Sequence, residues 1–371
     1  MNANVYQISR LTFVIALSWI LTNKTHAFPQ LSDLSLEEKI GQMVMIDIPG
    51  RILTEKDINH IKQGFFGSVI LFEYNIQNKR QVRKLTKALK KQTMQNQGLP
   101  IIIAIDQEGG SIDRIKRLKA PGSSAAPRKL GQGYPTKSSK DLIKNTSRSI
   151  AAVLNNIGIN LNLAPVLDVS SNPKSFIYKR SYSANPYYVA AIAGHHIKAM
   201  EQSGVISTGK HFPGLGESTA DSHTELPVIN KSYVELINKE FIPFRKLKYS
   251  LGAVMLGHVL VPAIDPNYPA SISKNMIKVL RQVIGYRGLI ITDHLAMKAL
   301  TNRYSFEDII IKAVIAGSDV LTVAAGDKQE INTIQIIADA VRQGQIPISR
   351  INEATQKILN IKRHIIGQHK P

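Results

Sequence analysis

The sequence contains no cysteine among its 371 residues. This absence excludes disulfide scaffolds, cysteine-ligated zinc, iron–sulfur clusters and thiol nucleophiles, and it also excludes a lipid-modified cysteine as an anchor. Any catalytic chemistry must therefore use carboxylates, histidine, lysine or hydroxyl groups.

Acidic residues are also scarce, because 27 Asp and Glu stand against 47 Lys and Arg, which gives a formal charge of +20. Net charge bears on solubility and on non-specific partners rather than on the fold. The excess is compatible with nucleic acid, with an anionic polymer of a cell envelope, or with a Lys-rich proteome. By itself it is weak evidence for nucleic-acid binding.

The first residues are typical of a secretory signal peptide rather than of a folded domain. Arg10 precedes the apolar run LTFVIALSWILT at 11–22, and Thr25-His26-Ala27 offers small residues where a signal peptidase reads. The run is about a dozen residues long, short of the roughly 20 that span a bilayer, so a retained anchor is the weaker alternative. We expect cleavage after Ala27 and export of residues 28–371 to a bacterial periplasm or exterior.

Eight short apolar, β-branched runs recur along the rest of the chain. Such runs, bounded by Gly and Pro, are typical of strands buried on both faces of a parallel sheet. They occupy residues 41–48, 67–72, 100–106, 159–169, 205–212, 252–259, 288–294 and 318–324.

Segments with helical spacing lie between these runs. They occupy residues 79–95, 140–156, 186–202, 233–248, 274–283, 305–316 and 329–342, and one more follows at 349–365. This alternation predicts an α/β protein with a single (β/α)₈ TIM-type barrel, and a doubly wound open sheet is the alternative. No glycine-rich phosphate loop follows the first strand, which argues against a nucleotide-binding open sheet.

Charged residues end nearly all the predicted strands. The active site of a barrel lies at the carboxyl ends of its strands, and burying many unpaired charges there would be costly, so a polar pocket is the simpler explanation. For Asp47 and Glu73 taken singly we favour a structural role, and Asp168 could brace a loop through neighbouring amides. The full set is Asp47, Glu73, Asp106, Asp168, Lys210, His211, His258 and Asp293.

The strongest local signal is KHFPGLGESTADSH, residues 210–223. Lys210 and His211 leave the fifth strand, and Pro and Gly then force an irregular loop that ends in Asp221-Ser222-His223. An Asp two residues before a His can bond one imidazole nitrogen and orient the other toward a substrate. A lone Asp-x-His indicates a surface turn, but its place after a strand that ends in Lys-His favours a catalytic role.

The segment KHFPG followed by DSH resembles the signature of the glycoside hydrolase family 3 β-N-acetylglucosaminidases, single-domain bacterial enzymes of peptidoglycan turnover. The resemblance runs from about Leu34 to Ile358 and implies that residues 28–371 form one barrel of the family's N-terminal type. Five further motifs resemble the family in the same order: AIDQEGG at 104–110, NLAPVLDV at 162–169, KRSYS at 179–183, VMLGHV at 254–259 and ITDHLAM at 291–297.

The resemblance implies a retaining exo-β-N-acetylglucosaminidase that acts on terminal β-linked GlcNAc of peptidoglycan-derived or chitobiose-like saccharides. Asp293 would be the nucleophile that forms a covalent glycosyl-enzyme. His223 would protonate the leaving group and later activate water, oriented by Asp221 on a mobile loop. No cofactor and no metal ion is expected.

The resemblance also implies a set of substrate contacts. Asp106 would accept hydrogen bonds from sugar hydroxyls, and Arg180 would reach a hydroxyl or the leaving side. Lys210 and His211 would bind hydroxyls and the acetamido region.

Three more residues complete this set of implied contacts. His258 would stand near the nucleophile or line the subsite, and a rim histidine with satisfied hydrogen bonds is its alternative. Met297 would pack the pocket wall. Arg114 matches an Arg of the third-strand loop, where a supporting salt bridge is equally compatible with the pattern.

Three positions depart from the family's pattern. Ser111 stands where an Arg commonly follows the paired glycines, which removes a cationic contact at the sugar's far hydroxyls and puts the terminal-sugar specificity in doubt. His294 replaces a second acid beside the nucleophile. Leu215 replaces a frequent His of the loop, a change that we expect to be tolerated.

Three alternatives remain open. A β-glucosidase-like member of the family would share the fold and nucleophile, although such relatives usually place their acid on a second domain. A catalytically weak wall-binding protein would use the basic surface to hold an anionic cell-envelope polymer. A metal hydrolase could use the histidines, but no HxH pair follows the first strand. The expected partners are a GlcNAc-containing saccharide and an anionic envelope polymer, with neither nucleic acid nor a stable membrane span.

Overall fold

The structure is a computed structural model that describes residues 28–323 and 329–367. The predicted signal peptide, residues 1–27, lies outside the described residues. Within the described ranges no helix is both long enough and apolar enough to cross a membrane.

Eight parallel strands form the centre of the molecule. Each strand pairs with the next in chain order, β8 pairs with β1, and a bridge between Ile291 and Val320 brings β7 to the beginning of β8. This cyclic order confirms the predicted (β/α)₈ barrel, because an open doubly wound sheet reverses its strand order. The strands are β1 (Val44–Asp47), β2 (Ser68–Leu71), β3 (Ile102–Ile105), β4 (Leu161–Asn162), β5 (Ile206–Phe212), β6 (Ala253–Leu256), β7 (Leu289–Thr292) and β8 (Leu321–Val323).

Helices surround this barrel. In chain order they are α1 (Leu36–Gln42), α2 (Glu55–Lys62), α3 (Lys79–Gln97), α4 (Pro127–Gly131), α5 (Lys137–Asn156), α6 (Pro186–Gln202), α7 (Tyr233–Asn238), α8 (Phe241–Leu247), α9 (Lys274–Lys278), α10 (Lys298–Thr301), α11 (Phe306–Ala316), α12 (Gln329–Arg342) and α13 (Ile348–Gly367). A π-helical turn, Val279–Val283, continues α9, and a short antiparallel hairpin pairs Gln107–Gly109 with Ile112–Asp113 after β3.

The predicted strands are buried as their composition requires. Every strand residue except Asp47 is buried, which explains why the runs are continuously apolar rather than alternating. The fourth run, predicted over 159–169, pairs as a strand only at Leu161–Asn162. Pro165 interrupts the ladder there because it has no N–H to donate.

The predicted helices all occur, but the structure adds short ones and divides another. The segment predicted as 233–248 is two helices, α7 and α8, because the backbone at Lys239 leaves the helical region. The unpredicted α1 and α2 are too short to show clear helical spacing. Their sequence signal is the capping box: the Ser35 hydroxyl accepts from the N–H of Glu38, whose carboxylate accepts from the N–H of Ser35.

Helix α13 brings a buried lysine to the amino-terminal end of the barrel. Nζ of Lys362 donates to Oε1 of Gln42 at 2.6 Å and to the carbonyl oxygen of Gly67 at 2.9 Å. Burial lowers the pKa of Lys362 to about 7, and no carboxylate of the described residues pairs with it. The lysine therefore lies at the opposite end of the barrel from the carboxyl ends of the strands, where the active sites of barrel enzymes are found. The amino-terminal end generally contributes to stability.

Replacing Lys362 with Met should stabilise the protein at neutral pH. The folded-state pKa is about 7 against an ordinary value of 10.5, so the unfolded chain binds more protons between these values. Wild-type stability therefore rises with pH across this window and is lost as pH falls toward 7. The Met variant has no proton to release on folding, but it loses two hydrogen bonds. We expect its free energy of unfolding near pH 7 to be higher than that of the wild type by about 2–4 kcal/mol.

Thermal unfolding of both proteins from pH 6 to pH 10 measures this effect. The advantage of the Lys362→Met variant should shrink as pH rises toward 10. Lys91→Met, on the exposed side of α3, is the matched control. Its free energy of unfolding should change with pH as that of the wild type does. If the free energy of unfolding of Lys362→Met kept the pH dependence of the wild type, the lowered pKa of Lys362 would be contradicted.

Candidate active site

Side chains from the carboxyl-terminal part of five consecutive strands, β3 to β7, or from the loops that follow them, converge on one cleft at the carboxyl end of the barrel. Its volume, with the open mouth included, is about 470 Å³, within the range of small-molecule sites. The cleft brings together seven of the ten predicted site residues: Asp106, Arg114, Arg180, Lys210, His211, His223 and Asp293.

Asp293 follows β7 and points its carboxylate into the cleft. Its Oδ1 accepts from the backbone N–H of His294 at 2.8 Å, and its own N–H donates to the carbonyl oxygen of Leu256 on β6. Burial alone would raise the pKa of Asp293, but His258, His211, the His294 amide and Lys210 together lower it below the ordinary value. The carboxylate is therefore ionised, as a nucleophile must be.

A buried lysine and a half-buried arginine share carboxylates on the opposite wall. Nζ of Lys210 lies 2.6 Å from Oδ1 of Asp106 and 2.6 Å from Oε1 of Glu108, and Arg180 binds both oxygens of Glu108 at 2.7 and 2.8 Å. Burial alone would raise the pKa of Glu108, but Arg180 and Lys210 hold it well below the ordinary value. The ionised Glu108 thus fixes the position of both cations.

His211 is oriented by a buried carboxylate. Its Nδ1 lies 2.7 Å from Oδ2 of Asp168, which also accepts from the His211 backbone N–H, while Oδ1 accepts from the N–H of Leu215 at 2.6 Å. A carboxylate only accepts, so Nδ1 of His211 carries a proton and Nε2 faces Arg180 at 3.3 Å. Asp168 therefore braces the loop after β5 through two amides, the structural role that the sequence suggested.

The predicted Asp-His pair lies at the mouth of the cleft. Nδ1 of His223 is 2.8 Å from Oδ1 of Asp221, and the side chains are 68% and 43% exposed. Burial alone would raise the pKa of Asp221, but the backbone and side-chain hydrogen bonds from His223 lower it, so this carboxylate is ionised. Nε2 of His223 has no hydrogen bond within the described residues and is available to a ligand.

The first half of this loop is held by Glu217. Its carboxylate accepts from the backbone N–H groups of Ser171 and Asn172 and from Nζ of Lys239 at 2.9 Å. Burial alone would raise the pKa of Glu217, but these bonds lower it to about 2. The mobility of the second half, which carries His223, stays a prediction.

Arg114 lines the cleft without an ion pair among the described residues. Its guanidinium lies 5.6 Å from the centre of the Phe72 ring, and its backbone N–H donates to Oε1 of Gln107. The salt bridge considered as its alternative role is therefore replaced by a cation–π contact. Its Nε is buried and has no hydrogen-bond partner within the described residues.

Two predicted contact residues do not line the cleft. His258 is fully buried, with Nδ1 2.8 Å from Oγ of Ser271 and Nε2 2.9 Å from the carbonyl oxygen of His294. A carbonyl only accepts, so Nε2 donates and the histidine supports the peptide that follows Asp293. This is the rim histidine with satisfied hydrogen bonds that the sequence offered as the alternative, and it lies beside the peptide that follows Asp293.

Met297 is the second of these residues. It is buried, and its carbonyl oxygen accepts from the backbone N–H groups of Leu300 and Thr301 in α10. Met255 of β6 contributes to the wall instead. Met297 is not among the residues that line the cleft, and its packing behind the wall stays a prediction.

The structure also adds residues that the sequence interpretation missed. Glu108 is the most important, and a signal for it existed: Asp106 and Glu108 are two residues apart in extended backbone, so both side chains project to one side. The others are Ile112, Phe176, Leu215, Ser222 and Met255.

Asp47 and Glu73 lie outside this cleft. The hydroxyl of Tyr74 donates to Oδ2 of Asp47 at 3.0 Å, and Glu73 pairs with Lys116 at 3.0 Å. Both therefore have the structural roles favoured from the sequence.

The positions that depart from the family pattern are also placed. Ser111 is exposed in the hairpin turn, and His294 is half-buried beside Asp293, where burial lowers its pKa. In the described part of the chain no group of three or more His, Asp or Glu side chains is arranged to hold a metal ion.

Fold and site together place the chain among the barrel enzymes that act at the carboxyl ends of their strands. A sequence profile described as "Glycosyl hydrolase family 3 N terminal domain" matches residues 35–361. The chain therefore belongs to glycosyl hydrolase family 3. This membership confirms the predicted enzyme class, a glycosidase.

Curated relatives and solved structures agree with this assignment. The β-hexosaminidase A of Pseudoalteromonas piscicida is 33% identical over 318 residues, which are 80% of this chain and 53% of that protein, so the chain spans about half of it. The β-hexosaminidase of Nitrosomonas eutropha is 32% identical over 76% of this chain and 80% of its own length. The family 3 β-N-acetylglucosaminidase from Paenibacillus has a TM-score of 0.85 and 31% identity, covering 91% of this chain and 64% of its own.

Proposed function

We propose that the chain is a retaining exo-β-N-acetylglucosaminidase that removes terminal β-linked GlcNAc from peptidoglycan-derived or chitobiose-like saccharides. The observation that carries the proposal is the presence in one cleft of the ionised Asp293 and of His223 bonded to Asp221. The choice of sugar is supported by the relatives, which are named β-hexosaminidase or β-N-acetylglucosaminidase.

In the first step Asp293 attacks the anomeric carbon. The bond from that carbon to the leaving oxygen breaks, an ester bond to Asp293 forms, and the leaving oxygen takes the proton from Nε2 of the His223 imidazolium. Asp221 accepts from Nδ1–H and stabilises the positive charge before the transfer. Its lowered pKa keeps it available for that role.

In the second step water replaces the enzyme at the anomeric carbon. Nε2 of the now neutral His223 accepts a proton from water, the hydroxyl attacks, and the ester bond breaks to restore the Asp293 carboxylate. Two inversions give GlcNAc with the original β configuration. His223 ends the cycle protonated, ready for the next substrate.

The opposite wall supplies sugar contacts. Asp106 uses Oδ1 for Lys210, and its Oδ2 has no partner within the described residues, so it can accept from a sugar hydroxyl. Arg180 and Lys210 keep donors beyond those directed at Glu108. Ser111, exposed in the hairpin turn, adds no charge at the sugar's far side.

The export prediction and the basic surface add a proposal on location. We infer from residues 1–27 that the protein acts in the periplasm or is secreted. There, the net charge of +18 that is left when Arg10 and Lys24 are removed with residues 1–27 would favour contact with an anionic polymer of the envelope.

Side-by-side hydrolysis of aryl β-GlcNAc and aryl β-glucoside substrates tests the proposal. The wild type should favour the GlcNAc glycoside by more than about tenfold. His223→Ala should lower kcat by about 10²–10⁴-fold with a poor leaving group and far less with a dinitrophenolate, which needs no proton. Glu225→Ala, exposed on the same loop, is the control.

Three other results would contradict the proposed activity or the role of His223. Faster turnover of the glucoside would indicate a β-glucosidase-like enzyme. A folded wild type that is inactive on both sugars but binds purified wall would indicate a wall-binding protein. Equal losses for both leaving groups in His223→Ala would remove His223 from the proton transfer.

A further inference from the structure

Helices α5 and α6 form a basic groove on the outer wall of the barrel. With the open space at its mouth included, the groove has a volume of about 740 Å³, and it shares no lining residue with the catalytic cleft. We call it the α5–α6 groove, and its lining residues are Lys144, Arg148, His195, Lys198, Ala199 and Gln202.

The cations follow a regular row along α5. Lys140, Lys144 and Arg148 are four residues apart, so they lie on one face at intervals of about 6 Å. Like charges at this spacing destabilise a helix, so the row is not explained by the stability of α5. His195 and Lys198 of α6 face the same groove.

These cations lack acidic partners, unlike those of the catalytic cleft. No ion pair involves Lys144, Arg148 or Lys198 in the described ranges, and the single acids of the two helices, Asp141 and Glu201, do not line the groove. Burial lowers the pKa of His195, and the charges of Lys144, Lys140 and Lys198 lower it further. Positive charge is therefore concentrated along the groove without internal compensation.

We propose that the α5–α6 groove binds a linear polyanion whose phosphate or carboxylate groups repeat along the chain. An elongated ligand fits because the cations are strung along the helix axis rather than gathered around a point. Arg148 can bind such groups in a bidentate manner, and the lysines act as point charges. No Phe, Tyr or Trp side chain lines the groove, and the one ring there, His195, is a single imidazole, which disfavours nucleic acid because single strands are held by stacking of successive bases.

The site adds a second function to the barrel. Helix α6 leads directly into β5, whose end carries Lys210 and His211, so the groove is on the outside of the same unit. A polymer bound there leaves the cleft open. The α5–α6 groove would thus hold the protein on an anionic polymer while the cleft receives its own ligand.

Binding of inorganic polyphosphate at several salt concentrations tests the proposal, with polygalacturonate as the carboxylate probe. The triple variant Lys144→Glu, Arg148→Glu, Lys198→Glu should weaken binding at least thirtyfold at low salt. The slope of log affinity against log salt should fall by about 2, since each lost contact removes about 0.7. Loss of binding to one probe alone identifies which acid group the groove takes.

The control is the triple variant Lys84→Glu, Lys87→Glu, Lys91→Glu. These lysines are exposed on one face of α3, so the control makes the same change in net charge without touching the groove. It should weaken binding less than about threefold, consistent with a non-specific charge effect. Unchanged hydrolysis of an aryl glycoside, or unchanged thermal unfolding if the protein has no hydrolytic activity, shows that both variants fold.

Three results would overturn the proposal. The first is a wild type that binds neither probe. The second is a control that loses as much affinity as the groove variant, which would mean that only net charge matters. The third is a single-stranded oligonucleotide of equal charge that binds more tightly than polyphosphate, which would assign the groove to nucleic acid.

Discussion

Replacing Asp293 with Asn will lower kcat on an aryl β-GlcNAc substrate by about 10³-fold or more, because the amide cannot form the glycosyl ester. The substitution preserves shape, and Oδ1 of Asn can still accept from the N–H of His294. Thermal stability should change little. Steady-state kinetics and thermal unfolding of the same preparation measure both effects.

The matched control for Asp293→Asn is Asp47→Asn. Asp47 also ends a barrel strand, but it bonds Tyr74 and lies outside the cleft, so its kcat should stay within a few fold of wild type. Azide added to Asp293→Ala should restore turnover and give an α-glycosyl azide, since azide would attack the face that the carboxylate left. Equal losses for both Asn variants, or a β-azide product, would remove Asp293 from the nucleophile's role.

Replacing Glu108 with Gln should affect both stability and binding. Glu108 pairs with the half-buried Arg180 and the buried Lys210, and the neutral amide would leave both positive charges undercompensated. We expect the free energy of unfolding to fall by about 3 kcal/mol. Displacement of both cations should also lower kcat/KM by about 10²-fold, mainly through a higher KM for the sugar.

Asp113→Asn separates these effects. Asp113 is a buried carboxylate of the same hairpin, but it accepts from Ser123 and Ser124 rather than from cations of the cleft. It should lose stability and keep a wild-type KM. An unchanged KM in a folded Glu108→Gln variant would show that Glu108 only supports the fold and does not position the cations.

Much of the candidate site could be predicted because, in a barrel of parallel strands, all strands end at the same rim. A charged residue at the end of an apolar run must lie at the carboxyl rim, which is how Asp106, Lys210 and Asp293 could be placed together. His258 also ends a run, yet its ring is directed toward Ser271 and does not line the cleft. The run shows where a strand ends but not which way a side chain beyond the last paired residue turns.

The sequence by itself determined the barrel, the strand ends that carry the chemistry and the Asp221–His223 pair, because these depend on local alternation and short spacing. Only the tertiary structure decided that Glu108 binds Arg180, 72 residues away, and that Asp168 orients His211. It also decided that the cations of α5 and α6 form one groove. Contacts between distant residues depend on strand register and helix packing, and local patterns do not encode them.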